Sequence, residues 1–170
     1  MTGIPGSGVL TTSAALGSST VSVSTVSTAN WSPFASIATS DSTGEVNDDG
    51  GGFLEPVRVQ QGCFFNTNIY DAGKPQLQIT GLPAGTYTVT MFGSLKTSVV
   101  NVIPANVITE FRVNGGSPIV INTGGNTSHS AVFPGVTVGA NETINLFFNA
   151  TTGGGINIGM LSYFIIDKTN

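Results

Sequence analysis

The chain has 170 residues, enough for one domain with a real core, and 39% of them are hydrophobic, ten being phenylalanine. Charged residues make up only 8%, against about 25% in an average soluble domain, and Ser, Thr, Asn and Gly take their place. The five basic residues, Arg58, Lys74, Lys96, Arg112 and Lys168, stand singly in a chain of net charge −4, which excludes the clustered Lys/Arg that nucleic-acid binding requires.

Residues 1–18 read as an arm or linker ahead of a domain at 19–170, because "GSG" and small residues dominate them. "SAALGSS" is expected to make at most one helical turn, since the flanking Ser, Thr and Gly disfavour more. With no Lys or Arg, the N-terminus lacks the basic n-region of a secretory signal. The expectation is a mature chain, or one that leaves the cell without a signal, as lysis-released phage structural proteins do. No apolar run approaches the roughly 18 residues that span a bilayer, so membrane insertion is not expected.

"STVSVSTVS" (19–27) sets Val21 and Val23 on one face and Ser on the other, the period-two pattern of a strand. Residues 28–55 form a long irregular excursion holding Trp31, the only tryptophan. "EPVRVQQGCFFN" alternates around Val57 and Val59 and ends on a Phe pair. Its Cys63 is the only cysteine, so no internal disulfide or multi-cysteine zinc site exists, and it reads as a small buried hydrophobe. In "PQLQITGLPAGTYTVTMFGS" (75–94), Leu77 and Ile79 alternate with Gln76, Gln78 and Thr80, which places the latter three on a wet face. Tyr87, Val89 and Met91 repeat the pattern. Between the strands, Pro83 presets a turn and Gly85 supplies the permissive position.

Residues 95–106 could hold a short edge strand, interrupted by Pro104. Five further strands follow in "VITEFRVNG", "SPIVINTG", "SAVFPGVTVG", "TINLFFNAT" and "GMLSYFIID". About nine strands with Gly, Asn or Pro between most of them, and no intervening helices, predict an all-β, antiparallel two-sheet β-sandwich.

Several of these pieces together resemble the galactose-binding-like (jelly-roll) β-sandwich modules of secreted bacterial proteins and carbohydrate-binding modules. The resemblance lies in L-x-I-x-G-L-P-x-G-x-Y-x-V-x-x-F-G-S at Leu77 to Ser94, in "TEFRVNG", in "GNTSHSAVFPGVTVGANETINLFF", and in "IGMLSYFIID". "NWSPF" near Trp31 fits it loosely. It covers about two-thirds of the chain, mainly residues 75–167. It implies a jelly-roll sandwich that binds carbohydrate or serves as a spacer or adhesion domain.

No constellation for catalysis stands out. His129, the only histidine, has Ser128 and Ser130 beside it but no G-x-S-x-G nucleophile turn. Of the carboxylates that glycoside hydrolysis would need in pairs, most lie in a Gly-rich loop, and Glu110 reads as the solvent face of a strand. The chain is therefore read as non-enzymatic. In "DSTGEVNDDGGG", Asp41, Glu45, Asn47, Asp48 and Asp49 bring together the hard oxygen donors calcium takes. The spacing is not that of an EF-hand, and a solvated acidic loop is the alternative; the structural calcium of many galactose-binding-like modules speaks for the ion. Sugar recognition needs an aromatic platform with planar hydrogen-bonding groups. Trp31, Phe34 and Tyr70, with Arg58, Asn66, Asn68 and Asp71, supply both, although Trp31 and Phe34 would equally pin the long loop to the sandwich. The N-x-S/T sequons at Asn30, Asn126, Asn141 and Asn149 follow from composition alone.

The resulting expectation is a structural and binding module on a virion surface or outside the cell, a phage decoration or fibre-associated protein with glycan affinity. Its expected partners are other virion or surface proteins, a glycan, and further copies of itself. The alternative is a secreted carbohydrate-binding module of a polysaccharide-degrading enzyme.

Overall fold

The architecture is that of a computed structural model, which describes residues 11–16, 19–26, 31–33, 64–66, 75–94, 106–124, 126, 128–151 and 159–169. The strands in chain order are β1 (Thr11–Leu16), β2 (Ser19–Thr25), β3 (Trp31–Pro33), β4 (Phe64–Asn66), β5 (Leu77–Thr80) and β6 (Gly85–Phe92). They continue with β7 (Ile108–Val113), β8 (Ile119–Asn122), β9 (Ala131–Val138), β10 (Ile144–Ala150), β11 (Gly159–Leu161) and β12 (Tyr163–Lys168). A six-stranded sheet runs β1-β2-β5-β10-β7-β8, a three-stranded one β12-β6-β9, and a second three-stranded one β11-β4-β3. Every pairing is antiparallel. The fold is the expected all-β sandwich.

Alternation builds the core. Leu77 and Ile79 of β5, Phe111 and Val113 of β7, and Ile144, Leu146 and Phe148 of β10 form one wall. Tyr87, Val89 and Met91 of β6, with Ala131 and Val138 of β9, form the wall that meets it. Burial follows the period of two in β7, where Thr109, Phe111 and Val113 are buried while Glu110 and Arg112 are half-exposed.

The segment 75–94 is not a hairpin within one sheet. Ile79 pairs with Val23 and Ile144 in the six-stranded sheet, whereas Val89 pairs with Ile166 and Phe133 in the three-stranded one. The connection at 81–84 therefore crosses the core, with Leu82 buried in it. Tyr87 Oη donates to the Pro83 carbonyl and fastens the crossing to β6. The left-handed residue is Gly81 (φ +81°), and a Cβ there would collide with the Thr20 carbonyl. Gly85, expected to hold that role, is instead the first residue of β6.

Other expectations are corrected too. Ser13–Leu16 of "SAALGSS", where one helical turn could have formed, belong instead to β1 and pair with β2 from Ser22 back to Ser19; cross-strand pairing overrides the helix preference of the alanines. Thr11–Leu16 also lie within the stretch expected as an arm. "GMLSYFIID" is two strands rather than one, parted at Ser162, so that β11 pairs with β4 and β12 with β6. In β9, Pro134 is tolerated because the strand is an edge and the ladder shifts there, from Tyr87↔Val136 to Val89↔Phe133, with Gly135 at φ +73°.

The two ends of the sandwich are unlike. The short connections at 81–84, 114–118 and 139–143 share one end. At the other, β2, β6, β8 and β10 end while β5, β7, β9 and β12 begin, as the pairs Thr25↔Leu77, Ala150↔Thr109, Met91↔Ala131 and Tyr163↔Phe92 show. The chain's long connections all leave from this second end.

Candidate functional site

The second end carries the small β11-β4-β3 sheet. Glycine lets this sheet approach both walls of the sandwich. A Cβ at Gly159 would collide with the Phe148 carbonyl of β10, and one at Gly93 with the Met160 carbonyl of β11. Gly159, Met160 and Leu161 are all buried as a result. The register aligns Trp31 with Asn66 and Asn66 with Gly159, followed by Ser32, Phe65 and Met160, then Pro33, Phe64 and Leu161. Two residues expected to bind sugar, Trp31 and Asn66, are thus direct cross-strand partners although 35 positions apart in sequence.

Beneath this sheet lies a buried polar layer. Thr109 Oγ1 accepts a hydrogen bond from Met160 N at 3.0 Å and lies 3.0 Å from Thr123 Oγ1, which donates to the Val107 carbonyl at 2.9 Å. Asn126, 5% exposed, organises the approach to β9. Its Nδ2 donates to the carbonyls of Gly93 (2.9 Å) and His129 (2.7 Å), and its Oδ1 accepts from the backbone N–H groups of His129 (2.9 Å) and Ser128 (3.3 Å). Ser94 Oγ donates to the Asn126 carbonyl at 2.7 Å, and Ser94 N donates to Ser162 Oγ at 3.1 Å. With every amide lone pair and proton engaged, Asn126 is a structural clamp. His129 itself is exposed.

A second amide pair fastens the start of β5. Gln76 is 2% exposed rather than on a wet face. Its Nε2 donates to Asn149 Oδ1 and its Oε1 accepts from Phe148 N, both at 2.8 Å. One register step on, Gln78 Nε2 donates to Asn145 Oδ1 at 2.9 Å. Glu110 and Arg112 lie on the solvent side of β7 as expected, joined through Arg112 Nε and Glu110 Oε1 at 2.6 Å.

Phe34, Arg58, Asn68, Tyr70 and Asp71 of the expected sugar site lie outside the described residues, as do all five calcium candidates, Asp41, Glu45, Asn47, Asp48 and Asp49. Among the described residues, no three His, Cys, Asp or Glu side chains are placed to hold a metal ion, and no helix is long and apolar enough to cross a membrane. Of the sequon asparagines, Asn126 and Asn149 are buried and Asn141 is exposed.

Sequence reasoning missed the polar layer. Its signal was weak but present: Gln76 and Thr123 flank the apolar strands β5 and β8, and Thr109 and Asn149 are next-to-terminal residues of β7 and β10, all at the same end of the sandwich. The sequence matches no model of a known protein family and no curated protein.

Proposed function

We propose that the chain is a non-enzymatic, surface-exposed binding module of the galactose-binding-like type, taking a glycan at the end that carries the small sheet. The observation behind this reading is the cross-strand pairing of Trp31 with Asn66. Register brings a tryptophan and an asparagine to the same position on neighbouring strands, and these are the residue types from which an aromatic platform and a planar hydrogen-bonding group of a sugar site are built. The same end gathers the long connections, which is where a β scaffold carries recognition. Low charge and a Ser/Thr/Asn-rich surface suit a decoration or fibre-associated protein of a phage particle.

A glycan array followed by titration calorimetry tests the binding half. Trp31→Ala and Asn66→Ala should each weaken the best ligand at least tenfold while leaving the folded spectrum intact. An array without binders at high protein concentration sinks it, and so does a ligand indifferent to both substitutions. The structural half fails if the purified protein neither self-associates nor attaches to phage particles.

A further inference from the structure

Asn-Gly occurs once in the chain, at Asn114–Gly115, and the fold sets it at the tip of the turn from β7 to β8. Gly116 N closes that turn by donating to the Val113 carbonyl at 2.9 Å. Both central residues are left-handed, Asn114 at φ +51° and Gly115 at φ +71°, the pair of conformations for which hairpins select Asn-Gly. Asn114 also takes part in the ladder with β10. Its N–H donates to the Asn145 carbonyl at 2.9 Å, and its Oδ1 accepts from Asn145 N at 2.8 Å. The side-chain oxygen thus does what the backbone carbonyl does in a regular antiparallel pair.

The turn leaves Asn114 Cγ open to the nitrogen that follows it in the chain. Asn114 and Gly115 are both exposed, and the space where a Gly115 Cβ would stand is empty. Among the described residues, the Gly115 N–H has no acceptor and Asn114 Nδ2 donates to nothing. The Asn145 N–H points at Oδ1, the atom that gains negative charge when Cγ becomes tetrahedral. Asn141 supplies the contrast. It is likewise exposed and left-handed, at φ +63°. The nitrogen after it, however, belongs to Glu142 and is engaged by the Gly139 carbonyl at 3.3 Å, and the Glu142 side chain folds back onto Gly139 N at 2.7 Å.

We propose that Asn114 is a site of spontaneous deamidation through a succinimide formed with Gly115. The Gly115 N–H gives its proton to hydroxide, and the nitrogen bonds to Asn114 Cγ. The Cγ–Nδ2 bond then breaks, and Nδ2 leaves as ammonia with a proton from water. Water next opens the five-membered ring. Cleavage between Gly115 N and Cγ gives aspartate; cleavage between Gly115 N and the Asn114 backbone carbonyl carbon gives isoaspartate. The two products diverge in the fold. Aspartate keeps an oxygen for the Asn145 N–H. Isoaspartate routes the main chain through Cβ and Cγ, which lengthens the turn by one methylene and withdraws that oxygen from the ladder. Either way, the end of the sandwich away from the small sheet gains one negative charge.

Incubation of the full chain at neutral and mildly alkaline pH, followed over time by peptide mapping with mass spectrometry, tests this. Asn114 should convert, faster at the higher pH because hydroxide takes the proton, while Asn141 stays intact. An isoaspartate-specific methyltransferase should label part of the product. Gly115→Ala should slow conversion by at least about tenfold, since its methyl crowds the attacking nitrogen. That variant is the less stable one, and a loosened turn would only speed the reaction, so slower conversion does not come from unfolding. Asn114→Asp should melt with the fresh protein and the isoaspartate fraction below it; equal melting refutes the part assigned to Oδ1. An Asn114 that stays intact, or converts no faster than Asn141, overturns the proposal, as does an undiminished rate in Gly115→Ala. These residues lie at the end opposite the proposed glycan site, so a failed glycan array leaves this result standing.

Discussion

Gln76 and Asn149, 73 positions apart in sequence, face each other across a buried 2.8 Å hydrogen bond between their side-chain amides. The bond ties the residue before β5 to the end of strand β10, and Gln76 Oε1 adds the Phe148 N–H to the same knot.

Removing the Gln76 amide therefore takes one hydrogen bond from each of two buried groups, the Phe148 N–H and the Asn149 oxygen. Each such loss costs about 1–3 kcal/mol. Gln76→Ala should destabilise the fold by about 2–4 kcal/mol, read as a lower urea midpoint with an unchanged m-value. A loss below about 1 kcal/mol would show that water replaces the amide.

Gly81 and Gly115 separate backbone strain from collision. Both have positive φ, +81° and +71°, but a Cβ on Gly81 strikes the Thr20 carbonyl while one on Gly115 meets open space. Gly115→Ala should cost about 1–2 kcal/mol, the ordinary left-handed penalty. Gly81→Ala should cost clearly more, because β2 must also move. Thermal melts of the pair check the order, and equal losses would refute the collision.

Asn126 offers a test in two steps. Asn126→Asp keeps an acceptor for the His129 and Ser128 N–H groups but loses the donor to the Gly93 and His129 carbonyls. Asn126→Ala loses both. Stability should fall by about 1–3 kcal/mol for each side of the clamp removed, with cleavage by a nonspecific protease rising in the β8–β9 connection. Equal behaviour of the two variants would mean that only the donor side matters.

The Glu110–Arg112 pair is the opposite case. Both side chains are partly exposed, at 20% and 27%, so solvent screens their attraction. Arg112→Met should change stability by less than about 1 kcal/mol, and raising salt should not distinguish the variant from the wild type.

Chelation addresses the acidic loop. If Asp41, Glu45, Asn47, Asp48 and Asp49 hold calcium, EDTA lowers the melting temperature, and the double variant Asp48→Ala, Asp49→Ala matches that loss and no longer responds to calcium. Unchanged melting in EDTA identifies a solvated loop.

Much of this fold was legible in the sequence because period-two alternation is local. Val21 and Val23, Leu77 and Ile79, and Tyr87, Val89 and Met91 all declare their inward face within a few residues. Sheet membership was not legible. Nothing local to Gly81–Ala84 tells that β5 and β6 separate into opposite walls, since the decision rests on Ile79 meeting Val23 and Ile144. Gln76 was misassigned for a related reason: its place in the alternation is that of a wet residue, and only the end of β10 buries it. At the candidate site, Trp31 and Asn66 were selected by chemical type, but their adjacency depends on a three-residue strand pairing that neither neighbourhood announces.

The crossing at 81–84 also governs how the chain reaches its native state. Because β5 and β6 do not pair with each other, Ile79 must wait for partners 56 positions before it and 65 after it, Val23 and Ile144. Among the described strands, β1 with β2, β3 with β4 and β7 with β8 are the consecutive ones that pair, and β3 with β4 closes only across residues 34–63, so most of the ladder closes over long loops. Such topologies fold in milliseconds to seconds rather than microseconds. During that interval the apolar strands stand unpaired, and newly made chains at high concentration compete between closing the core and joining one another.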